Sequence, residues 1–164
     1  MKTTFKYLAI LLCCAAFISA CKKDSYEDDN FDYEAQYKTD TTAIRAFLVA
    51  NKITAVKDVS GIFYQVITPG AGNIKYAGST QFTANYKGRL LSGKTFDSTA
   101  VNSPVKAYLG NMIVGWQIGL QKIQKGGKIR LFVPSYYGYG NQDRGPIPAN
   151  SVLDFDIELL DVTQ

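Results

Sequence analysis

Hydrophobic and polar positions change rhythm several times along the chain, and each change marks a different kind of segment. Tyr7 to Ile18 is an apolar run behind Lys2 and Lys6. It has the length of a signal h-region and is too short for a membrane span, which needs roughly 20 apolar residues. From Asp24 to Glu34 the chain carries six acids and no base. Such a stretch cannot bury enough apolar surface to order itself, so it reads as a solvated tether. Ala43, Ile44, Phe47 and Leu48 then share one face at helical spacing, and Asp40-Thr41-Thr42 is placed to cap a helix running to Asn51. An apolar stripe of that kind has to be covered. The following domain is the expected surface, and a second copy of the chain is the alternative.

From Gly61 the period switches to two. Ile62, Tyr64 and Val66 alternate with Phe63, Gln65 and Ile67 until Pro69-Gly70-Ala71-Gly72 breaks the strand. Gln81 to Leu90 reads as a second strand, turned by Leu91-Ser92-Gly93-Lys94 into Thr95-Phe96, and Val105 to Leu109 as another, ended by Gly110. Gly115 to Ile123 is the helical stretch of this part, with Trp116, Leu120 and Ile123 on one face and Gly126-Gly127 closing it. Lys128 to Val133 and Leu153 to Leu160 complete the set. In the last strand Leu153, Phe155, Ile157 and Leu159 point one way, while Asp154, Asp156 and Glu158 point the other. Several strands with one helix between them predict an α+β fold: an antiparallel, twisted sheet wrapped around a short helix, preceded by one extra N-terminal helix. The expected organisation is a signal peptide at 1–20, an acidic tether at 21–39, an amphipathic helix and linker at 40–57, and the folded domain at 58–164.

Cysteine usage sharpens the N-terminal reading. The apolar run ends in Ile18-Ser19-Ala20-Cys21, which resembles the lipobox of bacterial lipoproteins, where the cysteine becomes the acylated first residue. An ordinary secretory signal is the alternative. Cys13 and Cys14 make poor cleavage sites because Leu11 and Leu12 precede them, and residues 22–164 contain no cysteine. No disulfide, thiolate metal site or cysteine nucleophile is available to the folded part. Acylated Cys21 would tie the chain to a membrane, since each buried methylene contributes roughly 0.8 kcal/mol. That places the protein in the bacterial cell envelope, lipid-anchored, with the outer membrane as the expected site. The acidic tether is similar to surface-export signals of some bacterial lipoproteins, with a plain spacer as the favoured reading.

Loss of Lys2 and Lys6 with the signal leaves sixteen basic against fourteen acidic residues, a balance with no general attraction for nucleic acid. Lys122, Lys125, Lys128 and Arg130 straddle Gly126-Gly127 and read as the solvated rim of a turn rather than a phosphate track. The chain has no histidine, which excludes Ser-His and Cys-His nucleophile arrangements. Gly70-Ala71-Gly72 and Gly138-Tyr139-Gly140 lack the third glycine of a dinucleotide loop, and the carboxylates alternate along sheet edges rather than pairing as in a glycosidase.

Five segments, in order and with matching turn residues, carry a resemblance. They are Asn85-Tyr86-Lys87-Gly88, Gly93-Lys94-Thr95-Phe96-Asp97-Ser98-Thr99, Leu109 to Trp116, Val133-Pro134-Ser135-Tyr136-Tyr137-Gly138-Tyr139-Gly140, and Gly145-Pro146-Ile147-Pro148 running to Phe155. Together they make Gln81 to Gln164 resemble the FKBP family of peptidyl-prolyl cis-trans isomerases, and Gly61 to Gly72 is similar to that family's leading strand. The resemblance implies catalysis of rotation about X-Pro bonds in an apolar cup, with no cofactor and no metal. It implies Trp116 as the floor under the proline ring, with Tyr86, Phe96, Met112, Ile113 and Phe155 as walls and Val105 as a further contact. It implies that the Tyr139 hydroxyl and the Ile147 backbone N–H hold substrate carbonyls, that Asp97 sits at the rim with the tyrosines, and that Tyr139 to Pro148 forms a flap. Taken singly, each apolar residue reads as core and Asp97 as a turn or cap residue. The joint pattern carries the site.

The implied partners are proline-containing segments of exported proteins, the macrolide inhibitors of the family, and the membrane through Cys21. Three features depart from the family pattern. Val105 stands where many members carry an aromatic residue, Ser98 to Pro104 is short and has no arginine for the rim aspartate, and Gly110 to Gly115 is compact. Activity is expected to survive them, with altered side-chain preference and weaker macrolide binding. The alternative is a binding module that captures proline-containing segments with little turnover; the presence of Tyr139, Asp97 and Trp116 argues against it.

Overall fold

The computed structural model describes residues 31–164. The expected signal peptide, Cys21 and most of the acidic stretch lie outside these residues. Helix α1 spans Tyr33–Ala50. It is followed by strands β1 (Val56–Lys57), β2 (Phe63–Thr68), β3 (Gln81–Leu90), β4 (Thr95–Ser98) and β5 (Val105–Tyr108), then by helix α2 (Val114–Gly119), β6 (Lys128–Val133) and β7 (Leu153–Thr163). The strands pair antiparallel in the order β1-β2-β6-β7-β3-β4, and β5 also pairs with β3. One edge of β3 is therefore shared: Gln81 to Ala84 pair with β5, and Lys87 to Arg89 pair with β4. The chain between these two short strands, Thr99 to Pro104, stays beside the rim of the sheet.

Strand alternation sends successive side chains to opposite faces, and both faces are used. On one face Phe82, Ile129, Leu131, Leu153, Phe155, Ile157 and Leu159 join Trp116, Leu120 and Ile123 in the main core. Helix α2 carries Trp116, and a one-turn 3-10 extension, Leu120–Lys122, continues it. It lies very close to β6, because Gly115 and Gly119 present no side chain there. A Cβ on Gly115 would lie 2.4 Å from Val133 Cγ1, and one on Gly119 2.4 Å from Leu131 Cδ1. On the opposite face a smaller core joins Ile44 and Leu48 of α1 to Phe63, Phe132 and Val152, with Phe47 tilted against Phe132 at 5.9 Å between ring centroids. The amphipathic helix thus docks on its own domain. Ala43, expected on the apolar face, is exposed.

The helix also begins earlier than Asp40. Its N-cap is Asp32, whose Oδ1 accepts from the Ala35 N–H at 2.8 Å, so Tyr33 to Thr39 belong to the helix rather than to the tether. Asp40 lies inside it and is buried. A second polar residue goes inward unexpectedly. Asp154, on the polar side of β7, is only 2% exposed. Arg130 closes a two-pronged pair on it (Nε to Oδ1 2.9 Å, Nη2 to Oδ2 2.8 Å), and Arg89 reaches it at 3.2 Å. A buried carboxylate needs such partners, because an unpaired one would give up its hydration for nothing. The remaining bases around Gly126-Gly127 also face acids: Lys122 meets Asp58 at 2.6 Å, Lys125 meets Asp161 at 2.7 Å and Lys128 meets Glu158 at 3.0 Å.

Candidate functional site

A cleft of about 190 Å³ opens between α2 and the sheet, lined by Tyr86, Phe96, Asp97, Asn111, Met112, Ile113, Trp116, Tyr139 and Phe155. Eight of the ten residues singled out in the sequence meet there. They come from six places in the chain: Tyr86 from β3, Phe96 and Asp97 from β4, Met112 and Ile113 from the turn before α2, Trp116 from α2, Phe155 from β7 and Tyr139 from the loop after β6. Trp116 is 1% exposed and is boxed by edge-on rings, with centroids 5.3 Å from Tyr86 and 5.5 Å from Phe155. Phe96 stands edge-on to Phe155 at 5.6 Å. Edge-to-face contacts of this kind fix ring orientation beyond what area burial does.

Local bonds hold the walls. Thr99 clamps the Tyr86 backbone, its N–H donating to Tyr86 O at 3.0 Å and its Oγ1 lying 3.1 Å from Tyr86 N. The Gln117 side chain donates to Met112 O at 2.7 Å and pins the turn that carries Met112 and Ile113. Gly88 makes room for the aromatic wall, since a Cβ there would lie 2.6 Å from the Phe96 ring and 2.9 Å from that of Phe155. At the rim the Tyr86 hydroxyl donates to Asp97 Oδ2, while Asp97 Oδ1 accepts from the Ser98 N–H at 2.8 Å. Burial first, and then the Asp97 carboxylate, push the Tyr86 phenol well above the ordinary tyrosine range. Tyr86 therefore stays protonated and remains a donor at any physiological pH.

Ile147 lines an adjoining recess of about 390 Å³ with Phe96, Asp97, Tyr139, Arg144 and Pro146. The two depressions share Phe96, Asp97 and Tyr139, so the Tyr139-to-Pro148 loop forms the far wall of a continuous groove. Val105 stands apart. It starts β5, pairs with Ala84 of β3 and packs half-buried against the main core, lining neither depression. Asn111, Arg144 and Pro146 are wall residues that pattern reading missed. They are polar or exposed loop positions with no periodicity to mark them. A third depression, about 350 Å³, borders Asn85, Lys87, Lys128, Asp156 and Glu158 on the polar side of the sheet and shares only Tyr86 with the cleft. Among the described residues no group of three or more His, Cys, Asp or Glu side chains is placed to hold a metal, and no helix is long and apolar enough to cross a membrane.

An aromatic floor and apolar walls, with phenols and one carboxylate confined to the rim, give a cleft whose shape and chemistry suit an apolar ring. Residues 72–160 match the FKBP-type peptidyl-prolyl cis-trans isomerase family, and the chain belongs to it. It is 41% identical over 124 residues to the FKBP-type peptidyl-prolyl cis-trans isomerase FkpA of Buchnera aphidicola subsp. Schizaphis graminum, covering 73% of this chain and 49% of that protein. It is 43% identical over 104 residues to FkpA of Escherichia coli strain K12, covering 63% of this chain and 38% of that one. The chain spans half the length, or less, of these curated relatives. Among solved structures it is similar to the crystal structure of Escherichia coli FkpA (35% identity, TM-score 0.65, covering 79% of this chain and 64% of that chain). It is equally similar to a peptidyl-prolyl cis-trans isomerase of Pseudomonas syringae pv. tomato (33% identity, TM-score 0.65, covering 80% and 96%).

Proposed function

We propose that this protein accelerates cis-trans isomerisation of X-Pro bonds in polypeptides, using the Trp116-floored cleft and no covalent or acid-base step. The observation that carries this reading is the convergence of Tyr86, Phe96, Met112, Ile113, Tyr139 and Phe155 around a buried Trp116. Rotation about the amide is opposed by roughly 18–20 kcal/mol because conjugation gives the C–N bond double-bond character. In the twisted transition state that conjugation is broken and the carbonyl oxygen carries less negative charge. An apolar cleft withholds the hydrogen bonds from water that favour the planar, charge-separated ground state. Walls that fit the twisted prolyl unit better than the planar one then lower the barrier, since only differential binding accelerates a step. A gain of about 4 kcal/mol corresponds to roughly a thousandfold rate increase.

In this reading the proline ring rests on Trp116 between Tyr86, Phe96 and Phe155. The Tyr139 hydroxyl and the Ile147 backbone N–H hold the flanking carbonyls, and Asp97 with Tyr86 keeps the rim polar and oriented. The substrates are proline-containing segments of proteins in the bacterial cell envelope, where acylation of Cys21 would anchor the chain. Macrolides of the family's inhibitor class would compete for the same cleft. Protease-free isomerisation kinetics on tetrapeptides with varied residues before proline test the proposal. We expect macrolide-sensitive acceleration. Tyr139→Phe should lower kcat/KM by roughly five- to tenfold, the equivalent of one lost hydrogen bond, and Asp97→Ala should lower it similarly. No acceleration by a folded protein that still binds the peptides would leave a binding module and overturn the catalytic reading.

A further inference from the structure

Helix α1 lies outside the residues matched to the family, yet its most buried polar group points at the loop that carries Tyr139. Asp40 is 3% exposed in the middle of the helix and Ser135 is 2% exposed. Asp40 Oδ2 accepts two hydrogen bonds from Ser135, from the backbone N–H at 2.8 Å and from Oγ at 2.6 Å. Its Oδ1 accepts from Gln36 Nε2 at 2.7 Å. Ser135 passes the constraint on, because its carbonyl accepts from the Gly138 N–H at 2.9 Å and the Gly140 N–H at 2.8 Å, the residues on either side of Tyr139. Gly140 O in turn accepts from the Asn150 N–H at 2.8 Å, closing the loop at its far end. Rings brace the same junction: Tyr33 packs edge-on to Tyr136 at 5.8 Å and Tyr37 to Tyr137 at 6.4 Å. Tyr139 is 37% exposed, so the backbone on either side of it helps to set where its hydroxyl points.

A helix that only needed to cover Phe63 and Phe132 would do so with Ile44 and Leu48 alone. Burying a carboxylate at this place costs hydration that the same helix turn would avoid with an alanine. What the carboxylate adds is direction: two charge-assisted bonds onto one residue fix it more tightly than apolar packing can. We infer that Asp40 is a positioning residue for Tyr139, acting through Ser135, so that the N-terminal helix is a working part of the isomerase site. This rests on the isomerase reading given above.

The test is a double-mutant cycle in the full chain with tetrapeptide isomerisation as the readout. Asp40→Ala should lower kcat/KM by roughly tenfold, the scale of loss expected when a contact group is displaced by a fraction of an ångström. In a Tyr139→Phe background the same change should have little further effect, because the hydroxyl it positions is already gone. Asp40→Asn should restore most of the rate, since one amide oxygen can still accept both Ser135 bonds. Ile44→Ala, in the same helix but packed with Phe63, Phe132 and Val152 and making no hydrogen bond to Ser135, should lower the thermal midpoint and leave kcat/KM unchanged at temperatures where the protein is folded. If Asp40→Ala folds too poorly to assay, Ser135→Ala, which removes the hydroxyl bond alone, carries the cycle. Losses that multiply across the two positions, or an Asp40→Ala effect confined to stability like that of Ile44→Ala, would overturn the inference. A parent chain with no isomerase activity would remove the isomerase reading and this inference with it, whereas an active parent with multiplying losses removes only this one.

Discussion

Asp58 shows how a single side chain can gain a pH-dependent role that its position in the chain does not announce. Its Oδ2 accepts from Lys122 Nζ at 2.6 Å and its Oδ1 from the Ser60 N–H at 2.9 Å. The Lys122 hydrogen bond first, then the Ser60 backbone, lower its pKa from the ordinary 3.8 to about 2. A depressed carboxylate contributes stability that is complete above its unfolded pKa and is lost as pH falls toward the folded one. The contribution of Asp58 should therefore fade between 3.8 and about 2. Lys122→Met should raise the Asp58 titration toward the ordinary aspartate value and flatten acid unfolding in that window; carboxyl NMR with denaturant unfolding at several pH values checks both. At this scale the sequence exposed the aromatic cleft residues well, because ring-bearing positions between turn signals stand out. It concealed Asp154 and Asp40. Asp154 looks like a solvent-facing acid by strand alternation and Asp40 like a helix cap, and only neighbours distant in sequence, Arg130 and Ser135, make their burial tolerable.

Elements were legible where one periodicity ran without competition. Strands β3 and β6 have the ends that alternation and turn residues predict, and β7 runs three residues further than Leu160. The sequence misplaces the start of α1 because Asp40-Thr41-Thr42 imitates a cap. Inside the helix Thr39 and Thr42 instead donate back to the carbonyls of Ala35 and Lys38, at 3.0 and 2.8 Å, a local bond that helices tolerate. Helix α2 is shorter than its apolar spacing suggests, giving way at Leu120 to a 3-10 turn that Ile123 ends in extended conformation. Its closeness to β6 depends on Gly115 and Gly119. Gly115→Ala should force the helix off Val133, cost about 1–3 kcal/mol as overpacking does, and lower isomerase turnover because Trp116 moves with it. Denaturant unfolding and peptide kinetics on the same sample would show whether the two losses travel together.

For the molecule as a whole, α1 closes the second face of the sheet. Ile44 is 0% exposed and packs in the cluster with Phe63, Phe132 and Val152. Ile44→Ala should lower the unfolding free energy by about 2–5 kcal/mol in a single transition followed by both Trp116 fluorescence and far-ultraviolet circular dichroism. A separate early transition for the helix would show instead that it folds apart from the domain. The groove is also a property of the whole. Its walls come from β3, β4, β7, α2 and two loops, and β7 pairs with both β3 and β6 to bring them within reach.

What the sequence determined by itself was the fold class, most element positions and the residues of the apolar cleft, because burial periodicity and turn chemistry are local and repeat along the chain. Tertiary structure alone decided that α1 lies on its own domain, that Val105 stays out of the cleft while Asn111 joins it, and that Asp40 grips Ser135. Those outcomes depend on which surfaces meet across 95 residues of chain, and a contact between distant residues leaves no period in the sequence for a reader to find.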